Sequence, residues 1–475
     1  MTRTGFPWPL KPRSDHTFIR GIMMTMTQNF TRKSITALLC GSLSLGAASV
    51  LHAEELTPWG AVKGANADGS IPAYPDQGIP APEGHKDGRG QYLDPFADEQ
   101  PLYSVTPENM GQYEEYLTEG MKGLMKRFPS YRMDVYPTHR TQRYSDWEIE
   151  QVKLNAERSK LVHDGEGVEN TYGPVPFPQP ADGYELLWNH FNRPEPASLE
   201  YRAPSYLVDA SGHRTLLAEL YLQSNKLTQD TTRDSLDGDY KQKVRAKYLG
   251  PPAQSGRQVL WYYSQDYQKA DQVFYVYTPG QRRVRIAPDF GYDTPASSYG
   301  GAIFYDEVSL FEGRPDRFNF EMVGKKEILV PYNNNRMNQV GLDPDEVFGK
   351  DHINPDYMRW EKHRVWVLEA TLKEGARHVY SKRRFYIDED TWAMLMVETY
   401  DHAGELYRVG MINPIFMYDK QANWTNSFVM YDLVKNNYVM ANWLGGSKRN
   451  YLRPHDEVIN KTLFVPDALR ASGVR

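Results

Sequence analysis

The sequence predicts a mainly β protein of the α+β kind, with one large antiparallel sheet or barrel in its C-terminal two thirds and a helical region before it. Three observations carry this. Apolar residues recur every three or four positions between residue 106 and about 191, and then every second position beyond Tyr201. Short apolar runs succeed one another closely with turn residues between them, the pattern of antiparallel neighbours. The single cysteine, Cys40, excludes a disulfide scaffold and any multi-thiolate metal site, so a packed core must hold the chain.

The elements follow in order. Arg32 and Lys33 precede an apolar stretch, Ser34 to Val50, which ends in small residues and Ala53 before Glu54 and Glu55. Basic, apolar and small residues in that order are the signature of a secretory signal peptide, so residues 1–53 read as an upstream extension and a cleaved signal. Those residues hold six Lys or Arg and one Asp, and their removal takes the net charge from −6 to −11. An acidic, evenly mixed surface argues against nucleic acid as a partner.

Residues 54–105 contain 14 Gly or Pro and sustain neither helix nor strand. Trp59, Tyr74, Tyr92, Phe96 and Tyr103 punctuate this stretch, which predicts an irregular wrap pinned to the folded body by its rings. Residues 106–200 form the helical region. Thr106-Pro107 reads as N-cap and first helical residue of one helix carrying Met110, Tyr113, Leu117, Met121, Leu124 and Phe128. The capping box Ser145 to Glu148 opens a second helix running to about Leu161, and Asp182 caps a third with Leu186, Leu187, Trp188 and Phe191.

Residues 201–475 form the β domain, 54–475 making one unit. Predicted strands include Leu216–Leu222, Gln258–Ser264, Gln272–Thr278, Arg283–Ala287, Phe318–Val323, His363–Leu372, Val379–Ile387, Trp392–Tyr400, Glu405–Gly410, Trp424–Leu433 and Tyr438–Trp443. Several are apolar on both faces, as Trp392, Met394 and Met396 against Ala393, Leu395 and Val397 show. A sheet with one wet face would alternate, so both faces are covered: by a second sheet, by closure around an apolar lumen, or by helices on the concave side of a curved sheet.

Catalytic signatures are missing. There is no phosphate-cradling glycine loop, nucleophile elbow or H-E-x-x-H. Glu361 and His363 share a strand face without a third ligand and read as cross-strand ion pairs; Asp388, Glu389 and Asp390 read as a solvated turn. Trp188, Asn189, His190 and Arg193 read as the capped end of a helix. No catalytic residue, metal or cofactor is expected.

Three segments, Arg359–Leu372, Arg377–Trp392 and Tyr400-Asp401 with Gly404 and Leu406, resemble a proteobacterial exported family of unknown function described as outer-membrane lipoprotein-sorting-like. Leu56–Ala61 with Asn66–Gly69, and Pro176–Pro178 through His190, fit the same family, so the resemblance spans residues 54–475. It implies a LolA/LolB-like fold, in which a curved antiparallel sheet closes around helices to leave an apolar cavity. It also implies neighbours among inner-membrane exporters of hydrophobic substrates and outer-membrane barrels.

Together these features point to an antiparallel half-barrel with helices on its concave face, acting as a non-enzymatic periplasmic carrier or chaperone for a lipid, acylated protein or similar hydrophobe. The expected ligand-binding residues are Trp261, Tyr263, Tyr275, Tyr277, Trp366, Leu368, Met394, Met396, Phe428 and Met430. A secreted hydrolase of a cell-envelope polymer and an accessory subunit of a hydrophobe exporter are the alternatives.

Overall fold

A computed structural model describes residues 54–86, 88–287 and 291–473. The segment read as a signal peptide, with Cys40, lies outside them.

Fourteen strands carry the architecture: β1 (Ser198–Val208), β2 (Arg214–Lys226), β3 (Tyr240–Gly250), β4 (Gln258–Ser264), β5 (Val273–Thr278), β6 (Arg283–Ile286), β7 (Phe318–Pro331), β8 (Trp360–Leu372), β9 (Lys382–Asp388), β10 (Met394–Tyr400), β11 (Leu406–Ile412), β12 (Phe428–Asp432), β13 (Asn437–Ala441) and β14 (Tyr451–His455). The antiparallel path across the sheet is β7-β8-β9-β10-β11-β12-β13-β1-β2-β3-β4-β5-β6. β14 pairs with the first half of β1, and the short strands Tyr103–Val105 and Met133–Val135 join through one parallel bridge from Val135 to Trp360, completing 16 strands. The sheet does not close.

This order imposes a constraint. The chain starts mid-sheet at β1, walks to one edge at β6, and resumes at the opposite edge with β7. Residues 291–317 therefore connect the two edges. Within that crossing segment, Tyr305 meets the Phe274 ring of β5 at 5.8 Å, while its neighbour Asp306 meets Arg383 of β9 at 2.5 Å. On a flat sheet those two strands would lie about 43 Å apart. The sheet is curled around the crossing segment, which lies on its inner face.

Helices cover both faces. Helix α1 (Glu119–Arg127) packs on the outer face over β10 and β11, α2 (Asp146–Arg158) begins at the expected capping box, and α3 (Gly183–Phe191) packs on the inner face against β7 and β8. The C-terminal helix α4 (Pro466–Gly473) lies against β4, β5 and β6. Of α1, α3 and α4, α3 occupies the concave side, where the crossing segment and the hairpin Ile415–Trp424, whose Trp424 ring meets Tyr201 at 5.0 Å, add to the filling.

The single helix expected from Pro107 to Phe128 is divided. Met110–Tyr116 is a 3-10 segment, Leu117 and Thr118 are extended, and Thr118 accepts the Met121 N–H to start α1 afresh. The second start has a stronger electrostatic reason. Fully buried Glu398 of β10 accepts the Gly120 N–H at 2.5 Å, so a carboxylate sits at the helix N-terminus, and it also accepts the hydroxyls of Tyr386 (3.1 Å) and Tyr400 (3.0 Å). A β-carbon at residue 120 would lie 2.9 Å from Val409 and 3.1 Å from Glu398, so only glycine permits this approach.

The turn Asp388–Asp390 is not solvated, contrary to the sequence reading. Asp388, Glu389 and Asp390 are at most 2% exposed. Arg140 grips Asp390 at 2.7 and 2.8 Å, and Lys325 reaches Glu389 at 2.9 Å. The irregular N-terminal stretch lies over them: Val62 donates to Glu389, Trp392 donates to the Trp59 carbonyl, and Trp59 stacks on Tyr144 at 4.2 Å. Three adjacent acids look like a surface turn in sequence because their cations come from residues 25 to 250 positions away.

Glu398→Ala leaves a helix N–H and two tyrosine hydroxyls without their acceptor. It is expected to cost at least about 3 kcal/mol in urea unfolding. An unchanged midpoint would mean that the apolar stripe of α1 holds the helix alone.

Candidate functional site

The crossing segment has few ladder hydrogen bonds and still passes through the interior, so its polar groups need partners. Two successive acids supply its anchor. Asp306 meets Arg383 of β9 and His378 Nε2 (3.0 Å); Glu307 accepts from Arg408 Nη1 of β11 (2.7 Å) and from the Tyr380 hydroxyl. Arg408 continues to Asp432 of β12 at 3.1 Å. Burial alone would raise the Asp306 pKa, but Arg383 and His378 outweigh it and hold the carboxyl at about 2. Burial likewise opposes the charge on Arg408, and Glu307 with Tyr380 and Asp432 raises its pKa. Beyond the anchor, Leu310 rests on Gly410, where a β-carbon would lie 2.8 Å from the leucine and 2.7 Å from Val397.

On both sides of the anchor the segment borders a cleft. Tyr201, Leu220, Leu222, Val244, Trp261 and Tyr263 of the inner face form its floor, and Tyr299, Tyr305 and Val308 form its roof. Glu312, Ser309, Asn426 and Asn442 make a polar end. Ser309 donates to Asn426 Oδ1 at 3.0 Å, Arg193 holds Glu312 at 3.3 Å, and buried Asn442 keeps Oδ1 without a hydrogen-bond partner. The cavity measures about 70 Å³. That is room for a few waters, where about 150 Å³ is needed for a benzene-sized guest. The hollow expected to accommodate an alkyl chain is therefore present only in a narrow form.

Of the ten residues expected to bind ligand, Trp261 and Tyr263 line this cleft. Phe428 lies behind its roof, 6.3 Å from the Tyr299 ring. Tyr275 pairs with Leu260 and Tyr277 with Gln258, on the opposite face of the same strands, where both pack in the cluster holding Phe464 and Leu469. Trp366 lies between Lys325 (4.5 Å) and Trp392 (6.4 Å), away from the cleft. Leu368, Met394, Met396 and Met430 are buried in the main core, Met430 against the Gly410 position. The strand register, invisible in any single strand, separates the tyrosines of β5 from the rings of β4. Tyr201, Leu220 and Leu222 were within reach of the period-two pattern; the roof residues 299–312 have no periodicity to reveal them.

The group Trp188 to Arg193 pins α3. Trp188 Nε1 donates to the Gly165 carbonyl (2.9 Å), Asn189 exchanges two hydrogen bonds with the Phe177 backbone, and His190 Nδ1 accepts the Met394 N–H (3.1 Å). Arg193 lies between Glu195 and Glu312, and Lys226 and Lys241 donate to the Arg193 and Phe191 carbonyls beyond the helix end. Burial depresses the Lys241 pKa to about 7 and that of Lys226 to about 8.

A family model described as "Protein of unknown function (DUF1329)" matches residues 104–470. The chain belongs to the DUF1329 family. This is consistent with the resemblance carried by the β8 to β10 segments. An uncharacterized protein of Pseudomonas aeruginosa is 36% identical over 428 residues, covering 88% of this chain and 92% of the relative. Among solved structures, a DUF1329 family protein from Desulfovibrio piger is similar at 15% identity and a TM-score of 0.41, over 60% of this chain and 97% of the other. A putative outer membrane lipoprotein-sorting protein domain from Vibrio parahaemolyticus is similar at 15% identity and 0.38, over 58% and 92%. A LolA superfamily protein from Nitrosomonas europaea is similar at 9% identity and 0.35, over 61% and 99%.

Because the folded-state Asp306 pKa lies below its usual 3.8, its stabilisation is complete above about pH 4 and is lost as pH falls towards 2. Asp306→Asn is expected to lower the urea midpoint at pH 7 and to flatten its fall between pH 4 and 2. An acid limb of unchanged slope would show that the Asp306 pair does not set it.

Proposed function

We propose that the protein is a periplasmic carrier, exported by the segment around residues 34–53, that shelters the apolar part of an amphiphile and passes it towards the outer membrane. The observation that supports this is the cleft itself: an apolar floor and roof meeting one polar end, under a roof that belongs to a connecting segment and not to the sheet. Each methylene buried there gains about 0.8 kcal/mol, so affinity accumulates with chain length without a polar recognition code.

The cavity of about 70 Å³ is the closed form of such a site. Admission of a chain requires the tip, residues 296–302, to lift while the Asp306–Glu307 anchor stays. The tip is built for this: it turns at Gly300 and Gly301, both at positive φ, and its Ser297 contact to Arg257 (3.0 Å) is exposed. Trp261 and Tyr263 belong to the proposed binding wall. An inner-membrane exporter and an outer-membrane barrel are the donor and acceptor this reading implies. The lining residues include one carboxylate, Glu312, held by Arg193, so paired-acid hydrolysis finds no support in the cleft, and the reading is non-enzymatic.

The test is solvent extraction of the purified protein with mass spectrometry of the extract, together with titration of an environment-sensitive apolar dye. Wild type is expected to yield an amphiphile and to bind the dye. Val308→Trp, which fills the cleft from the roof, is expected to weaken dye binding at least about tenfold at unchanged circular dichroism. Repeated recovery of empty protein that ignores the dye would sink the proposal.

A further inference from the structure

Beneath the N-terminal wrap, away from the cleft, His363 of β8 meets the turn that follows β9. The charges around it are unequally matched. Arg359 bridges Glu361 and Glu99, Arg364 bridges Glu389 and Glu327, Arg140 bridges Asp390 and Glu389, and Lys325 joins Glu389. Four cations thus serve five carboxylates. Asp388, fully buried, is a sixth, and among the described residues no arginine or lysine forms an ion pair with it.

The hydrogen bonds fix which atoms face each other. Glu361 accepts from Arg359 Nε (2.5 Å), Asn333 Nδ2 (3.0 Å) and the His139 N–H (2.8 Å), so it is a carboxylate. Its Oε2 lies 3.1 Å from His363 Nε2, so Nε2 donates to it and, in the neutral ring, Nδ1 is the lone pair. Stacking on Tyr332 at 3.9 Å fixes the ring. Across from Nδ1, at 3.6 Å, stands Asp388 Oδ1, a buried oxygen with no hydrogen-bond partner. The other oxygen of Asp388 is locked by the Thr391 N–H (2.9 Å), the Thr391 hydroxyl (2.8 Å) and the Tyr332 hydroxyl (3.2 Å), so the carboxylate does not rotate away.

In this buried site the neutral ring's Nδ1 and Asp388 Oδ1 repel unless a positive charge, a proton or a metal ion, lies between them. A separation of 3.6 Å is too long for a hydrogen bond. It is the spacing of two ligands each about 2.0–2.2 Å from one ion in tetrahedral arrangement, about 3.3–3.6 Å. A third ligand atom, from Asp390, completes a set lying within 4.8 Å of one another. Both Asp390 oxygens accept from Arg140, and each retains a second lone pair.

We propose that His363 Nδ1, Asp388 Oδ1 and an Asp390 oxygen hold a divalent transition-metal ion of the zinc class, with Glu361 orienting the histidine from behind. One imidazole and two carboxylates suit zinc, manganese or iron(II) better than calcium or magnesium. A carboxylate on the far nitrogen is the usual support of a metal-bound histidine. Enclosed by β8, the β9 turn and the wrap, the ion is structural: it ties the turn to the strand on which the wrap is seated.

The experiment is metal analysis by inductively coupled plasma mass spectrometry of the full chain purified without chelator, followed by zinc titration of the chelator-stripped protein. About one ion per chain is expected, and Glu361→Gln is expected to weaken zinc by about 10- to 100-fold. Asp388→Asn, of equal size, is expected to abolish stoichiometric binding. Should that variant fail to fold, the wild-type stoichiometry still decides. Wild type holding less than about a tenth of an ion and showing no zinc-dependent rise in melting midpoint would overturn the proposal, leaving a proton to separate the two acceptors. Unchanged zinc affinity in folded Asp388→Asn would overturn it equally.

Discussion

Two consecutive acids, Asp306 and Glu307, gripped by arginines on β9 and β11, hold the connection that the strand order forces through the interior. A chain that fills its sheet from the middle to one edge and then from the other edge back must bring its connection across, and here it crosses the inner face. The crossing segment satisfies part of its backbone locally, as in the Ala296 N–H to Ile303 carbonyl and Tyr305 N–H to Thr294 carbonyl bonds. The charged pairs do what a strand ladder would otherwise do. Breaking a buried pair by removing one partner costs about 3–5 kcal/mol, so the position of the segment is strongly specified at this one point.

The rest of the interior follows from where that anchor falls. On the β7 to β11 side, Leu310 and Phe311 fill the concavity down to Gly410, and α3 closes the remainder. On the β1 to β5 side, the segment passes above the sheet and leaves the cleft. One side is a solid core and the other a narrow cavity roofed by the connecting segment. The sheet thus encloses a narrow apolar cleft without an empty lumen, and the carrier reading rests on this asymmetry. The charged nest under the wrap is independent of it, on the other side of β8.

Much of the sheet was legible. The strand read as Gln258–Ser264 has the same bounds in the structure, and most others differ by a few residues. β1, β3 and β14 escaped notice for physical reasons: β3 alternates Lys243, Arg245 and Lys247 with Val244, Ala246 and Tyr248, and β1 and β14 carry Pro204 and Pro454 beside charged residues. Outward charges hide a half-buried strand from a search for apolar runs. The cleft was legible only in part, because local alternation assigns a residue to one of two faces but not to the inner one. Tyr275 and Tyr277 share odd numbering with Trp261 and Tyr263, and the Leu260–Tyr275 register places them on opposite faces. Long-range partners were not legible at all, as the burial of Asp388–Asp390 shows.

The central claim, that the crossing segment is clamped at Asp306–Glu307 and opens at its tip, is tested most directly by amide hydrogen exchange along residues 291–312. The account predicts that the amides of Leu310 and Phe311 exchange at least about 100-fold more slowly than those of Ser298 to Gly301, and that saturation with a bound amphiphile slows the tip alone. Uniform exchange across the segment, or a tip as protected as the anchor and indifferent to every amphiphile tried, would contradict it.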